Sequence, residues 1–222
     1  MQIEIKHIEK KYKKKQVLRD INLVAEAGHC IGILGANGCG KSTLLSILAR
    51  VQSSDGGSFL CDGVDLLKNA KEHAHLVGYV PQGTPLIEEL SAKDNLLLWY
   101  DKKKMEQELD GGVLSLLGID EFLGVTVSKM SGGMKKRLSI GCAMSSNPPI
   151  LLLDEPTAAL DLACKQSIAS YLRHYKENGG ILLLTTHDVM EMDLCDAWYI
   201  IRDGALVPFD YDGDVQKLVE SL

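Results

Sequence analysis

Gly35-Ala36-Asn37-Gly38-Cys39-Gly40-Lys41-Ser42-Thr43 is the stretch that decides the fold of this chain. It follows the apolar run Cys30-Ile31-Gly32-Ile33-Leu34 and precedes residues 44–49, whose spacing is helical. Strand, glycine-rich turn and helix in that order is the context in which G-x-x-x-x-G-K-S grips phosphate. The glycines let the backbone curl into a nest of N–H groups aimed at phosphate oxygens. The N-terminus of the following helix adds its partial positive charge. Lys41 supplies a mobile cation for terminal phosphates, and the Ser42 hydroxyl is placed to hold Mg²⁺. The stretch therefore predicts a nucleotide site.

Composition narrows what such a site can serve. A chain of 222 residues can bury a sizeable core in one domain, or one domain with a subdomain. Hydrophobic content of 45% and charged content of 24% are ordinary for a globular protein. The net charge of −6 argues against a domain built to grip a polyanion, so no nucleic-acid partner is expected. No segment reaches the roughly 18 uninterrupted apolar residues of a membrane span. The first six residues alternate like a strand and do not resemble a signal peptide. The expectation is a cytoplasmic chain that reaches a membrane only through a partner.

The six cysteines (Cys30, Cys39, Cys61, Cys142, Cys164, Cys195) show no C-x-x-C spacing, so reduced and mostly buried thiols are expected. Cys39 lies inside the phosphate loop. Its plain role is a small side chain in a tight turn; the alternative is a thiol made oxidisable by nearby positive charge.

Apolar runs that read as strands cover residues 3–8, 17–25, 30–34, 58–61, 76–80, 150–153, 181–185, 197–201 and 205–208. Helical spacing covers 41–50, 92–100, 105–117, 132–145, 162–177 and 189–194. Strands alternating with helices predict an α/β fold with a mostly parallel sheet and helices on both faces. The short strands at the front suggest an attached antiparallel β layer. Residues 83–145 read as an inserted helical subdomain, with 1–82 and 146–222 forming the core. The clusters Lys13-Lys14-Lys15, Lys102-Lys103-Lys104 and Lys135-Lys136-Arg137 read as solvated surface, or as contacts for anionic lipid or a partner's acidic loops.

Residues 150–157, Ile-Leu-Leu-Leu-Asp-Glu-Pro-Thr, place two acids at the end of an apolar strand. A carboxylate at the C-terminal end of a buried parallel strand points into the crevice where ligands of such sheets bind. Asp154 is placed to hold Mg²⁺ opposite Ser42. Glu155, one residue on, is placed to polarise a water as general base. Taken alone, the pair could equally be a helix cap.

Together with Met130-Ser131-Gly132-Gly133-Met134-Lys135-Lys136-Arg137, these motifs resemble the nucleotide-binding subunit of an ABC (ATP-binding cassette) transporter over about residues 3–204. The octapeptide resembles the family's Leu-Ser-Gly-Gly-Gln signature. Ser131 with two glycines at a helix start makes a second anion site of bare N–H groups and a hydroxyl; without the resemblance it reads as an ordinary helix N-cap. In the family this site serves the ATP held by the opposite subunit. Met134 departs from the usual glutamine, and a thioether cannot supply an amide's hydrogen bonds.

The resemblance implies further roles. Tyr12 matches the aromatic residue that stacks on adenine, and Val17 the small apolar residue of the same pocket. Gln82 matches the glutamine that reaches the metal and the attacking water. Asp161 matches the loop that communicates between subunits, and His187 the histidine that contacts the γ-phosphate. Each also has a plain alternative: Tyr12 a half-buried surface aromatic, Gln82 a loop amide, Asp161 a helix cap, His187 a strand-end histidine. His73 and His75 carry no such match and read as surface or structural residues.

The resemblance thus implies a P-loop ATPase that uses ATP and Mg²⁺. It would pair with a second copy or a homologous cassette and drive a separate membrane permease from the cytoplasmic face. The brief helical segment and the short stretch after Gly204 resemble export-type cassettes. Two alternatives stand beside it: a soluble ATPase of the same family with a non-transport target, and an unrelated P-loop enzyme such as a nucleotide kinase.

Overall fold

The computed structural model describes residues 1–186 and 188–211. Two sheets carry the chain. β1 (Gln2–Tyr12) and β2 (Lys15–Glu26) form an antiparallel hairpin that turns at Lys13. With β4 (Gly56–Cys61) and β5 (Val64–Asp65) they make a four-stranded antiparallel sheet in the order β2-β1-β4-β5. This is the expected front β layer.

The second sheet joins β3 (Cys30–Leu34), β6 (Val77–Val80), β7 (Ile150–Asp154), β8 (Ile181–Thr185), β9 (Ala197–Arg202) and β10 (Ala205–Phe209). Its order is β10-β9-β3-β8-β7-β6, parallel except for the β9–β10 hairpin. Every residue of β3, β7 and β8 is buried, as strands covered on both faces must be.

Period-two alternation sends neighbouring side chains into different cores. Ile31, Ile33, Ile150, Leu152, Ile181 and Leu183 face a core shared with the antiparallel sheet and α1 (Lys41–Leu48). Leu151, Leu153, Leu182 and Leu184 face a second core. That core is completed by α3 (Ala92–Leu96), α4 (Lys102–Leu109), α5 (Val113–Leu116), α6 (Gly132–Ala143) and α7 (Leu162–Glu177). At Gly32 a Cβ would overlap the Trp198 ring on the neighbouring strand, so only glycine lets that indole close a small third core with Leu34 and Ile200.

Three expectations need correction. The single helix expected over 105–117 is two, because Gly111 takes a φ of 90° that breaks α4, and the Glu108 carboxylate accepts from Val113 N at 2.9 Å as α5 begins. The helix expected over 92–100 ends at Leu96. A helix not anticipated, α2 (Ala70–Leu76), precedes β6; Asn69 caps it by accepting from Glu72 N at 3.3 Å. A short helix, α8 (Val189–Met192), follows β8.

The lysine clusters also divide. Lys13, Lys14 and Lys15 are exposed, as expected. Lys136, by contrast, is only 4% exposed, and Arg137 is half-buried, donating to Leu117 O at 3.0 Å and lying 5.0 Å from the Phe122 ring centre. The Lys136 ammonium donates to the Pro81 and Gln82 carbonyls, so neither residue is simply solvated surface. Charge alone could not reveal that.

Candidate nucleotide site

The parallel sheet brings the candidate residues to one edge. β3 ends at Leu34 and runs straight into residues 35–43, while β7 ends at Asp154 and β6 leads through Pro81 to Gln82. β8 lies between β3 and β7, in register so that Asp154 stands beside Thr185. All these strand ends are carboxyl ends, where ligands of open α/β sheets bind.

The loop takes the shape its glycines permit. Gly35, Gly38 and Gly40 have φ values of 148°, 76° and 120°. A Cβ at Gly40 would lie 2.9 Å from Leu18 Cδ2 and 3.0 Å from Val17 Cγ1, so the loop seats closely on β2. Lys41 opens α1 at 6% exposure, its ammonium donating to Gly35 O at 2.6 Å and Ala36 O at 3.4 Å. No carboxylate pairs with it among the described residues. A buried cation satisfied only by carbonyls, at a helix N-terminus with no acid in its first turn, is a site prepared for an anion.

A cleft of about 710 Å³ opens over this loop. Tyr12, Val17, Asn37, Gly38, Gly40, Lys41, Ser42, Thr43, Gln82 and Glu155 line it together. Ala36 and Cys39 instead face an adjoining cleft beside Arg19 and Asp203, and Gly35 is buried beneath the loop. Tyr12 offers an exposed ring, its hydroxyl donating to Gln52 Oε1 at 2.5 Å and its face 5.7 Å from the Lys10 ammonium.

The two acids differ in environment. Asp154 is 2% exposed, and its Oδ1 accepts from the Thr185 hydroxyl at 2.6 Å. Glu155 reaches the cleft, where its Oε2 accepts from Gln82 Nε2 at 2.9 Å. Glu155 has a φ of 48°, a conformation that costs a side-chain-bearing residue on the order of 1 kcal/mol. Its N–H is held there by Thr185 O and Thr185 Oγ1, both at 3.1 Å. Thr185 was missed as a site residue. The only signal was its place at the end of an apolar strand, which does not say that its neighbour is Asp154.

Ser131, Gly132 and Gly133 do not join this cleft. Ser131 caps α6, its hydroxyl accepting from Met134 N at 3.2 Å, beside a separate hollow of about 200 Å³ lined by Arg137, Asp161 and Cys164. Asp161 caps α7, accepting from Cys164 N at 2.9 Å, so its plain alternative role is filled whatever else it does. His187 lies outside the described residues. Of its neighbours, Thr186 is buried and Asp188 pairs with Lys165. Glu191, also buried, has its pKa raised by loss of solvent. His73 is buried against α1, its Nε2 2.7 Å from Leu48 O. Four of the six cysteines are buried and all six are free thiols.

Comparison with known proteins decides what this arrangement is. Residues 18–158 match the family described as "ABC transporter". The chain belongs to the ABC transporter family. The cassette is 31% identical over 214 residues to the linearmycin resistance ATP-binding protein LnrL of Bacillus subtilis, covering 92% of this chain and 68% of that protein. It is 33% identical over 208 residues to Nod factor export ATP-binding protein I of Sinorhizobium fredii, covering 91% of this chain and 60% of the relative. With the methionine import ATP-binding protein MetN of Helicobacter hepaticus it shares 32% over 217 residues, covering 92% and 62%.

Among solved structures, a nucleotide-free ATP-binding cassette matches with a TM-score of 0.87 at 20% identity, covering 99% of this chain and 96% of the other, a likeness of fold. A dimeric post-hydrolysis cassette bound to ADP and Pi matches with a TM-score of 0.81 at 26% identity, covering 96% and 100%. The fold is therefore that of a P-loop ATPase cassette. No helix among the described residues is long and apolar enough to cross a membrane.

Proposed function

We propose that this cassette is the ATP-hydrolysing motor of an ABC transporter, working as a head-to-tail pair. Each of two ATP molecules would lie between residues 35–43 of one chain and residues 131–133 of the other. The observation that carries this reading is the separation of the two anion sites. Lys41 and Ser131 open different hollows of one chain, so a triphosphate gripped by both must bridge two chains.

The roles follow from position. Tyr12 stacks on the base and Val17 lines its pocket. The N–H groups of residues 35–43 and the Lys41 ammonium hold the phosphates and stabilise charge on the transferred phosphoryl group. The Ser42 hydroxyl and Asp154 carboxylate are hard oxygen donors that fit Mg²⁺, with Gln82 able to add a third. Bound there, the ion would neutralise phosphate charge. Glu155 acts as general base on the attacking water, and Gln82, already bonded to it, orients both. His187 is proposed as the γ-phosphate contact. Residues 83–145 form the helical subdomain, inserted between core segments 1–82 and 146–222, that passes motion to an integral membrane permease. The cassette would sit on the cytoplasmic face of that permease. We read the direction as export, on the resemblance to export-type cassettes and the likeness to Nod factor export proteins.

The test is Glu155→Gln with ATP and Mg²⁺ on a sizing column. This variant should bind ATP, lose turnover by about 10²–10⁴-fold and elute as a dimer. A strictly monomeric variant with full hydrolysis overturns the reading.

A further inference from the structure

Lys136, at 4% exposure, is the most deeply buried cation among the described residues and has no assigned task. It stands on α6 five residues beyond Ser131, about 7.5 Å along the helix axis. Its ammonium donates to two consecutive carbonyls of the loop after β6, Pro81 O and Gln82 O, both at 3.0 Å. No other side chain bonds either carbonyl among the described residues. Burial lowers the pKa of Lys136, and the charges of Asp154, Glu191 and Glu155 oppose that shift.

These contacts complete a continuous connection. The N-terminus of α6 is capped by Ser131, at the anion site that reads the partner's nucleotide. α6 carries Lys136, Lys136 holds the backbone of Gln82, and the Gln82 amide holds the Glu155 carboxylate at 2.9 Å. Glu155 acts on the nucleotide of its own chain. A buried ammonium is costly unless its donors are matched, so the two carbonyls must follow Lys136 or leave it unsatisfied. A neutral apolar stem of the same length would fill the same space and impose no such condition.

We propose that Lys136 is a positioning residue that couples the two ATP sites of the dimer. Seating of the partner's nucleotide on residues 131–133 sets α6, and through Lys136 it sets where Gln82 holds Glu155 in the other site. This rests on the two-chain reading above and goes beyond it by naming the connection. The path is physical rather than statistical, since each step is a hydrogen bond or a rigid helix.

The experiment compares wild type, Lys136→Met, Lys136→Arg, Gln82→Ala and the Lys136→Met/Gln82→Ala pair. Steady-state ATP hydrolysis, equilibrium binding of a fluorescent ATP analogue and thermal melting are measured for each. In Lys136→Met, kcat should fall roughly ten- to a hundred-fold while analogue affinity stays within about two-fold. The Hill coefficient for ATP should drop toward 1. Lys136→Arg should recover most of the turnover, and the double variant should be no slower than Gln82→Ala alone.

Cooperative wild-type hydrolysis with Lys136→Met unchanged in kcat and Hill coefficient overturns the inference alone. So does a loss of kcat, affinity and melting temperature together that arginine does not rescue, because that marks a packing residue. Wild-type protein that hydrolyses ATP as a monomer overturns the two-chain reading, and this inference with it.

Discussion

The Thr185 hydroxyl donates to Asp154 Oδ1 at 2.6 Å, and Thr185 Oγ1 in turn accepts the N–H of Glu155 at 3.1 Å. One side chain on β8 thereby fixes both acids at the end of β7. Replacing it by valine keeps the volume and removes both bonds. We expect Thr185→Val to cost about 1–3 kcal/mol of stability, because a buried carboxylate loses its donor. The Mg²⁺ concentration needed for half-maximal hydrolysis should rise as well. Denaturant melts and a magnesium titration check the two effects separately; unchanged magnesium dependence would remove Asp154 from the metal site.

Lys41→Ala removes the buried cation that the loop carbonyls hold in place. A hydrogen bond to a charged group is worth about 1.5–3 kcal/mol, so nucleotide affinity should fall roughly ten- to a hundred-fold. Equilibrium binding of ATP decides the point. Equal affinity in the variant contradicts the assignment.

Gly133 packs its α-carbon against Cys164 of α7, and a methyl there would overlap the sulfur and sit 3.1 Å from Cys164 Cβ. Gly133→Ala should lower stability by about 1–3 kcal/mol and weaken ATP-driven dimerisation, since the N-terminus of α6 must shift. Adding Cys164→Ala removes the sulfur and should restore part of both losses. A double variant no better than the single one would place the defect elsewhere.

His73 gives a pH dependence. Burial against α1 holds its pKa below the ordinary value of 6.5, the Leu48 carbonyl partly opposing and Arg50 adding to the shift. The unfolded chain therefore takes up a proton at higher pH than the folded chain. The stability due to neutral His73 is present above that unfolded value and declines as pH falls below it. The difference in unfolding free energy between wild type and His73→Gln should narrow from about pH 7.5 to about pH 5.5. A constant difference would mean that the imidazole titrates alike in both states.

Much of this molecule is written locally. Residues 35–43 state their loop because φ values of 76° and 120° at Gly38 and Gly40 are open to glycine at little cost. The runs Ile150-Leu151-Leu152-Leu153 and Ile181-Leu182-Leu183-Leu184 state buried parallel strands because strands covered on both faces have no polar side to show. Asp154 and Glu155 are legible because they interrupt such a run at its end. The break at Gly111 was also legible, yet apolar spacing across residues 105–117 outweighed it in a reading by periodicity.

What the chain alone determined, then, is the parts whose cause lies within a few residues: the phosphate loop, the strand-end acids, the cap at Ser131 and the α/β class. Tertiary structure alone decided which of them meet. Thr185 reaches Asp154 across 31 positions, and Lys136 reaches Gln82 across 54. Strand register and helix packing set both meetings. A lysine carries the same charge on a wet surface as under a loop, and only the carbonyls opposite it distinguish the two.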